Sequence, residues 1–255
     1  MSASPAAERR WPRIIGHRGA ALSAPENTLA GICMAAARDV TWVEFDVRLT
    51  RDKRCILLHD DTLDRTTTGE GPAAALDYDQ IRRLDAGGWF GPDFIGQRVP
   101  SLEEAIDLLG ELGLGAVIEL KPAPGFEAAT GDAVAAILDA RWPDHLPPPL
   151  VSSFKTAALA AARERAPHIA RALLVGAPGR DWRRQAEALG CVMLHADQRR
   201  LDRPIVEAVR ATGLPLFAYT VNVAGRAREL FSWGVDAVFS DCPGQLAEAL
   251  GDHAI

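Results

Sequence analysis

Short apolar runs alternate with longer segments rich in Ala, Leu and Glu from about Arg13 onward. This alternation is typical of β-strands that are each followed by an α-helix. It predicts eight strands, near residues 14–15, 41–47, 116–120, 150–152, 170–175, 191–194, 215–220 and 236–240. It also predicts eight helices, over residues 28–38, 101–109, 126–140, 155–166, 181–189, 203–211, 224–233 and from 244 to the C-terminus.

Two α/β architectures share this alternation, an open doubly wound sheet and a closed (β/α)8 TIM barrel. An open sheet would concentrate polar residues at one switch point, whereas here they follow strands from the first to the last. The count of eight units and this spread favour the barrel. Ser101 and Glu104 form a capping-box pair, which predicts the start of the second helix.

One long segment breaks the alternation between the apolar run 55–58 and Pro100. Loops of this length in compact domains are usually functional lids or small subdomains. We therefore predict a small insertion after the second strand, over about residues 60–100, that folds over the barrel mouth. The whole chain of 255 residues suits one barrel. We expect a flexible N-terminal tail over residues 1–11 and a single domain over residues 12–255.

The net charge and the hydropathy of the chain argue against nucleic-acid binding and against membrane insertion. A formal net charge of −6 argues against nucleic-acid binding, which usually needs a basic face. A small anionic substrate is compatible with this charge, because a few local cations or a bound metal can make a positive pocket. Residues 1–11 lack the apolar segment of a secretory signal, and no later stretch suits a membrane span. We expect a cytoplasmic protein without stable membrane insertion.

Acidic residues recur on one face of two predicted strands. Glu44 and Asp46 lie two positions apart, so both carboxylates point to the same face of the second strand. Glu119 and Lys121 have the same spacing in the third strand. Three carboxylates with no cysteine cluster nearby suit a hard cation, Mg2+ or Ca2+. The alternative is a buried salt-bridge network, which Lys121 beside Glu119 also permits.

Two histidines follow apolar runs directly. His17 comes after the first strand, and His59 ends the run 55–58. Because imidazole titrates near neutrality, two such rings beside a phosphorus atom can act as general base and general acid. A single histidine at a strand end is usually a satisfied polar residue, and two of them beside a carboxylate trio weaken that interpretation.

Two cations and a short polar loop complete the candidates. Arg18 offers a planar donor fork and Lys121 a point charge, and both suit a phosphodiester oxygen. Either could instead belong to a surface ion pair. Glu26 and Asn27 precede a predicted helix and could cap or orient the first loop, and Asn27 could also serve at the metal.

Together these motifs resemble the signature of the glycerophosphodiester phosphodiesterases, and the similarity covers nearly the whole chain. The matching segments are His17-Arg18-Gly19, Pro25-Glu26-Asn27-Thr28, Glu44-x-Asp46, His59-Asp60, Asp61-Thr62-Leu63-Asp64-Arg65-Thr66-Thr67, Pro100-Ser101-Leu102-Glu103-Glu104, Glu119-Leu120-Lys121, Ser153-Phe154, Thr220-Val221-Asn222 and Gly234-Val235-Asp236.

The resemblance implies a TIM barrel with a small insertion after the second strand. It implies one divalent cation on Glu44, Asp46 and Glu119, with His17 and His59 as the catalytic pair. It further implies that a glycerophosphodiester is cleaved to glycerol 3-phosphate and an alcohol, through a cyclic phosphate.

We expect substrate contacts at Arg18 and Lys121 from their side chains, and at Phe154 and Tyr219 from the resemblance. Tyr219 departs from the family pattern, which often carries Trp there, although Tyr still supplies an apolar wall.

Two other functions stay open at this stage. A lysophospholipase D-like enzyme would need an apolar mouth, which Trp89, Phe90 and Phe94 could provide, although these aromatics could instead form the insertion's own core. A non-catalytic phosphate- or polyol-binding barrel would not require both histidines and all three acids. The sequence does not fix the head group or the oligomeric state.

Overall fold

The computed structural model describes residues 11–251 and contains nine strands over that range. These are β1 (Ile14–Gly16), β2 (Trp42–Leu49), β3 (Cys55–Leu57), β4 (Gly115–Leu120), β5 (Leu150–Ser153), β6 (Ala170–Val175), β7 (Met193–Asp197), β8 (Leu216–Tyr219) and β9 (Ala237–Ser240).

Nine α-helices accompany the strands over the same range. They are α1 (Leu29–Ala36), α2 (Tyr78–Ile81), α3 (Leu102–Leu112), α4 (Glu127–Arg141), α5 (Thr156–Arg165), α6 (Trp182–Leu189), α7 (Arg203–Arg210), α8 (Ala224–Trp233) and α9 (Pro243–Leu250). Short 3-10 turns span Ala73–Ala75, Pro92–Phe94 and Gln198–Arg200. Within residues 11–251, no helix has the length and apolar character needed to cross a bilayer.

Eight of the strands close into a parallel barrel. They are hydrogen-bonded in the order β1-β9-β8-β7-β6-β5-β4-β2, and a parallel pairing of β1 with β2 closes the ring. The predicted (β/α)8 TIM barrel is therefore confirmed, and the open doubly wound sheet is excluded. The carboxyl ends of all eight strands meet at one mouth.

The apolar run 55–58, which the sequence pattern did not identify as a strand, forms most of an additional antiparallel strand. β3 pairs with the end of β2, with Leu57 opposite Val47. The Leu58 backbone N–H then donates to the carbonyl of Asp46 at 3.0 Å. This hairpin carries the next residue, His59, back to the level of Asp46 at the mouth.

Side chains alternate between two cores, as strand geometry requires. Val43 and Phe45 pack in the layer between the barrel and its helices. Trp42 and Phe217 instead fill the bottom of the barrel interior. Trp11 stacks edge-on against Trp42 at 5.0 Å, so its assignment to the flexible tail was wrong. The rest of that predicted tail, residues 1–10, lies outside the described residues, as do residues 252–255.

The predicted insertion after the second strand forms, with an apolar cluster of its own. Leu63, Ile81 and Val99 pack there with Ile56 of β3. The insertion ends at α3, where Ser101 and Glu104 make the predicted capping box.

Strand β7 begins later than predicted. The Cys191 backbone N–H donates to Ala186 in the last turn of α6, and Gly190 adopts a left-handed conformation there. Residue 191 therefore still belongs to the helix end, and the strand starts at Met193.

Candidate active site

A cavity of about 200 Å³ opens at the carboxyl ends of the barrel strands. Its walls come from loops and strand ends all around the barrel. The lining residues are His17, Arg18, Glu44, His59, Glu119, Lys121, Ser152, Phe154, Leu174, His195, Tyr219, Thr220 and Phe239. The candidate catalytic and substrate-binding residues all line this cavity, as do Glu44 and Glu119, whereas Asp46, Glu26 and Asn27 do not.

Three carboxylates meet at the base of the cavity. Glu44 and Asp46 alternate with helix-facing residues along β2, so both point into the barrel. Glu119 is the register partner of Asp46 on the neighbouring strand β4. All three side chains are buried, and one ligand oxygen from each lies within 4.8 Å of the others. The predicted convergence of these acids is therefore present.

Burial and mutual repulsion disturb the titration of this trio. Burial, with the charges of Asp46 and Glu119, raises the pKa of Glu44 well above its ordinary value. Burial and Asp46 raise the pKa of Glu119 to about 7. Burial also disfavours charge on Asp46, but Arg18 and Lys121 outweigh it and lower the pKa of Asp46 to about 2. The negative charge of the three carboxylates thus exceeds the positive charge of Arg18 and Lys121 beside them.

Two cations offset part of this charge. Lys121 Nζ lies 2.7 Å from Glu119 Oε1 and 3.5 Å from Asp46 Oδ1. Arg18 Nε lies 3.4 Å from Asp46 Oδ2. The salt-bridge alternative is therefore partly realised. However, among residues 11–251 Glu44 Oε1 is buried without a hydrogen-bond partner, and this part of the chain places two cations, Arg18 and Lys121, against three acids. A divalent cation fits this all-oxygen donor set, because it would satisfy the unpaired oxygen and the excess negative charge.

Both histidines sit at the mouth, each with a carboxylate on Nδ1. His17 follows β1, and its Nδ1 lies 2.6 Å from Asp241 Oδ1. Its other nitrogen, Nε2, is 3.9 Å from Glu44 Oε2. His59 Nδ1 lies 2.7 Å from Asp60 Oδ1. Burial, together with the nearby Arg18 and Lys121, lowers the pKa of His59 despite the opposing charge of Asp46.

Arg18 is held by the first loop and by the insertion. Its Nη1 donates to Glu26 Oε1 at 2.7 Å. Arg65, from the insertion, donates to both oxygens of Glu26 and also to Asp60 Oδ2 at 2.6 Å. Arg18 adopts a left-handed backbone, with φ of 51°. Glu26 therefore orients the first loop, as one of the two interpretations of this residue expected.

Asn27 binds a carboxylate of the trio. Its Nδ2 donates to Asp46 Oδ2 at 2.9 Å, and its Oδ1 accepts from the Asp46 backbone N–H at 3.0 Å. The nitrogen and the oxygen of the Asn27 side-chain amide therefore both bind Asp46. In this arrangement its role is to orient Asp46.

An aromatic wall lines one side of the cavity. Phe154 and Tyr219 meet edge-on at 6.1 Å, and Lys121 Nζ lies 5.8 Å from the centre of the Phe154 ring. The Tyr219 hydroxyl donates to the carbonyl of Val175 at 2.8 Å, which fixes the ring. Phe154 is 44% exposed, so a bound molecule could cover it.

The three aromatics of the insertion lie elsewhere. Trp89, Phe90 and Phe94 contact one another edge-on and belong neither to the cavity wall nor to the apolar cluster of the insertion. The contribution of these aromatics to an apolar mouth therefore stays a prediction.

Sequence reasoning assigned no role to three residues around the site. Asp241 and Asn222 form the support of His17, and His195 lines the cavity floor. Asp241 directly follows β9, so the strand-end criterion that selected His17 could have selected it as well. His195 lies inside β7, but it directly follows the strand predicted at residues 191–194, so the same criterion could have selected it too.

Comparison with known proteins places the chain among enzymes of one kind. Residues 17–245 match the model of the glycerophosphoryl diester phosphodiesterase family. The glycerophosphodiester phosphodiesterase of Caldanaerobacter subterraneus is 31% identical over 90% of this chain and 94% of its own. YhdW of Bacillus subtilis, whose name assigns it provisionally to the same enzymes, is 34% identical over 90% and 94%. A solved Oleispira antarctica phosphodiesterase, in complex with the product sn-glycerol-3-phosphate, is similar with a TM-score of 0.91, 39% identity and coverage of 94% and 97%.

Proposed function

The chain belongs to the glycerophosphoryl diester phosphodiesterase family, and from this premise we propose that it cleaves glycerophosphodiesters by metal-assisted acid–base catalysis with two histidines. The products are glycerol 3-phosphate and a free alcohol. The observation that carries the proposal is the buried trio of Glu44, Asp46 and Glu119, whose ligand oxygens lie within 4.8 Å of one another. The same cavity is lined by His17 and His59.

The trio would hold one divalent cation, Mg2+ or Ca2+. All of its donors are carboxylate oxygens, which are the ligands these hard ions prefer. Such a cation supplies Lewis-acid stabilisation of the negative charge on the phosphodiester. A bound cation would favour the ionised form of Glu44 and Glu119, since burial and Asp46 raise the pKa of both carboxyls in its absence.

The cations of the chain bind the phosphate. Lys121 and Arg18 both line the cavity and carry donors toward its base. Because Glu26 holds Nη1 of Arg18, the guanidinium is oriented before substrate arrives. Phe154 and Tyr219 form the wall beside the phosphate and pack against the apolar part of the substrate.

The two histidines transfer the protons. One imidazole accepts the proton of the glycerol 2-hydroxyl as its oxygen bonds to phosphorus, and the other protonates the oxygen of the departing alcohol. The phosphorus–alcohol bond breaks, and a cyclic glycerol phosphate forms. Water then attacks phosphorus with the proton roles reversed, and the bond to the 2-oxygen breaks to give glycerol 3-phosphate. Each proton transfer contributes on the order of 100- to 10,000-fold in rate.

A substrate panel tests this function. The purified chain is incubated with Mg2+ or Ca2+ and glycerophosphocholine, glycerophosphoethanolamine, glycerophosphoglycerol or a lysophosphatidylcholine. Released glycerol 3-phosphate is measured for the first three substrates and lysophosphatidic acid for the last. We expect release from the water-soluble diesters. Turnover confined to the lysophospholipid, giving a lysophosphatidic acid, would favour a lysophospholipase D-like enzyme. Tight binding of glycerol 3-phosphate without turnover of any diester would favour a non-catalytic binding barrel.

A further inference from the structure

The carboxylate behind His17 lies at the closure of the barrel. Asp241 follows β9 and His17 follows β1, and the two strands pair with Gly16 opposite Ser240. The His17 backbone N–H donates to the Ser240 carbonyl at 2.8 Å. This strand pairing fixes both main chains, so the 2.6 Å contact between His17 Nδ1 and Asp241 Oδ1 does not depend on a mobile loop.

We propose that Asp241, oriented by Asn222, is a positioning residue that keeps His17 in the tautomer with hydrogen on Nδ1 and presents Nε2 to the substrate. The proposal rests on the catalytic role of His17 in the proposed function. It adds a residue that contacts neither substrate nor metal and that acts only through the imidazole.

The orientation of Asn222 follows from its own partners. Its Oδ1 accepts from the Asp241 backbone N–H at 2.9 Å and from Ser240 Oγ at 3.2 Å. A backbone N–H can only donate, so the Asn222 atom that it faces is the oxygen, and the Nδ2 group must face Asp241. It donates to Asp241 Oδ2 at 2.7 Å. The second carboxylate oxygen, Oδ1, is then left for the ring of His17.

An ionised carboxylate only accepts hydrogen bonds, so the atom facing Asp241 Oδ1 must carry hydrogen. Burial disfavours charge on Asp241, but the contacts with His17 and Asn222, whose amide donates to Oδ2, outweigh it and hold the pKa of that carboxyl below its ordinary value. The hydrogen therefore sits on Nδ1 of His17. Nε2, which points toward Glu44 at 3.9 Å, remains free to accept or return a proton.

The second histidine shows the same arrangement with a different support. Asp60 faces His59 Nδ1 through Oδ1, and Arg65 donates to Asp60 Oδ2 at 2.6 Å. Both rings thus have a carboxylate on Nδ1 that a third residue holds in place. Asn222 and Arg65 come from different parts of the chain, yet each orients a carboxylate toward Nδ1 of a histidine. This recurrence indicates that the tautomer with hydrogen on Nδ1 is important for the site.

The fixed orientation of Asn222 makes one substitution unusually informative. In Asp241→Asn the amide oxygen must occupy the Oδ2 position to accept from Asn222, which places the new NH2 group against His17 Nδ1. The ring must then accept at Nδ1 and carry its hydrogen on Nε2. In Asp241→Ala the ring has no partner and samples both tautomers.

The expected order of kcat is therefore wild type, then Asp241→Ala, then Asp241→Asn. We expect a loss on the order of 1,000-fold for the Asn variant and on the order of 10- to 100-fold for the Ala variant, with KM changed less than about threefold. A merely structural role predicts the reverse order, because Asn is isosteric with Asp. That reverse order, or equal kcat values, would overturn the proposal.

A swapped double variant supplies the rescue. In Asn222→Asp with Asp241→Asn, the new carboxylate accepts from the amide at position 241, whose oxygen can turn back to His17 Nδ1. We expect this double variant to recover at least about tenfold of the kcat lost in Asp241→Asn alone. No recovery in a folded double variant would contradict the proposal. Asp132→Asn, which breaks an exposed pair with Arg165 between α4 and α5, is the matched control and should retain wild-type kcat.

A spectroscopic readout separates this inference from the function on which it rests. Two-bond 15N–1H spectra of ring-labelled protein, recorded at alkaline pH with Mg2+, report which nitrogen of His17 carries hydrogen. We expect Nδ1–H in the wild type and Nε2–H in Asp241→Asn. An Nε2–H tautomer in an active wild-type enzyme would overturn the positioning role and leave the function standing. Absence of any diesterase activity, with Nδ1–H observed, would instead contradict the function.

Discussion

Glu44 accepts a hydrogen bond from the Arg18 backbone N–H through Oε2 at 3.0 Å, while its other oxygen is buried without a partner. One oxygen of this side chain is thus held in place, and a carboxylate oxygen of Glu44 lies within 4.8 Å of Asp46 and Glu119. Removing the charge from Glu44 should affect the protein without metal and the protein with metal in opposite directions.

We predict that Glu44→Gln raises the stability of the metal-free protein by about 1 kcal/mol, because repulsion within the buried trio falls. The same change should remove most of the stabilisation that Mg2+ or Ca2+ gives and reduce turnover by roughly 100-fold or more. Thermal unfolding with and without the cation, together with release of glycerol 3-phosphate, measures both effects.

Glu103→Gln is the matched control for that experiment. Glu103 also has a buried oxygen without a partner, but it pairs with Arg54 away from the cavity. Its variant should keep both activity and the cation-dependent shift in Tm. Equal behaviour of the two variants would remove Glu44 from the proposed metal site.

Loss of either imidazole should abolish turnover without abolishing cation binding. We predict that His17→Ala and His59→Ala each lower kcat by about 100- to 10,000-fold, since each removes one proton transfer. The cation-dependent rise in Tm should persist, because neither ring belongs to the carboxylate trio. His168→Ala, at an exposed histidine paired with Asp139, serves as the control. Near-normal kcat in either active-site variant would refute the proposed role of that ring.

His195 predicts a specific dependence of stability on pH. It lies buried against Phe217 and Phe239, and burial lowers its pKa from 6.5 to about 3. The unfolded chain binds a proton at this residue below about pH 6.5, whereas the folded chain does so only near pH 3. Its contribution to stability is therefore complete above pH 6.5 and declines as the pH falls toward 3.

Urea unfolding at several pH values tests this decline. The free energy of unfolding should fall as the pH is lowered from about 6 to about 4. In His195→Phe this fall should be smaller than in the wild type by about 1 kcal/mol for each pH unit. The difference in slope is the readout, so an overall change in stability from the larger ring does not matter. Identical slopes in the two proteins would show that His195 is not held neutral by the fold.

The sequence pattern predicted the barrel because each strand–helix unit is formed by residues that are close together in the sequence. A strand followed by a helix can be identified from one short window of sequence, and the spacing of Glu44 and Asp46 fixes their shared face. Glu119 joins them because parallel strands place equivalent positions side by side, and Asp46 is its register partner. The carboxylate trio was thus predictable once the barrel was assumed.

Contacts that depend on closure were not predictable in this way. His17 and Asp241 are 224 positions apart and meet only because β1 pairs with β9. The antiparallel strand β3 was missed because a run of three residues carries little periodicity. Trp11 was assigned to a tail because no pattern in its own segment predicts that its ring packs against Trp42 at the bottom of the barrel.

Chelation tests the central claim most directly. The purified protein is dialysed against EDTA until metal is undetectable and assayed for glycerol 3-phosphate released from glycerophosphocholine, before and after Mg2+ or Ca2+ is added. The proposed site predicts that release stops without metal and returns when either ion is added. Full release after exhaustive chelation would contradict it, and would leave Glu44, Asp46 and Glu119 as a salt-bridge network with Arg18 and Lys121.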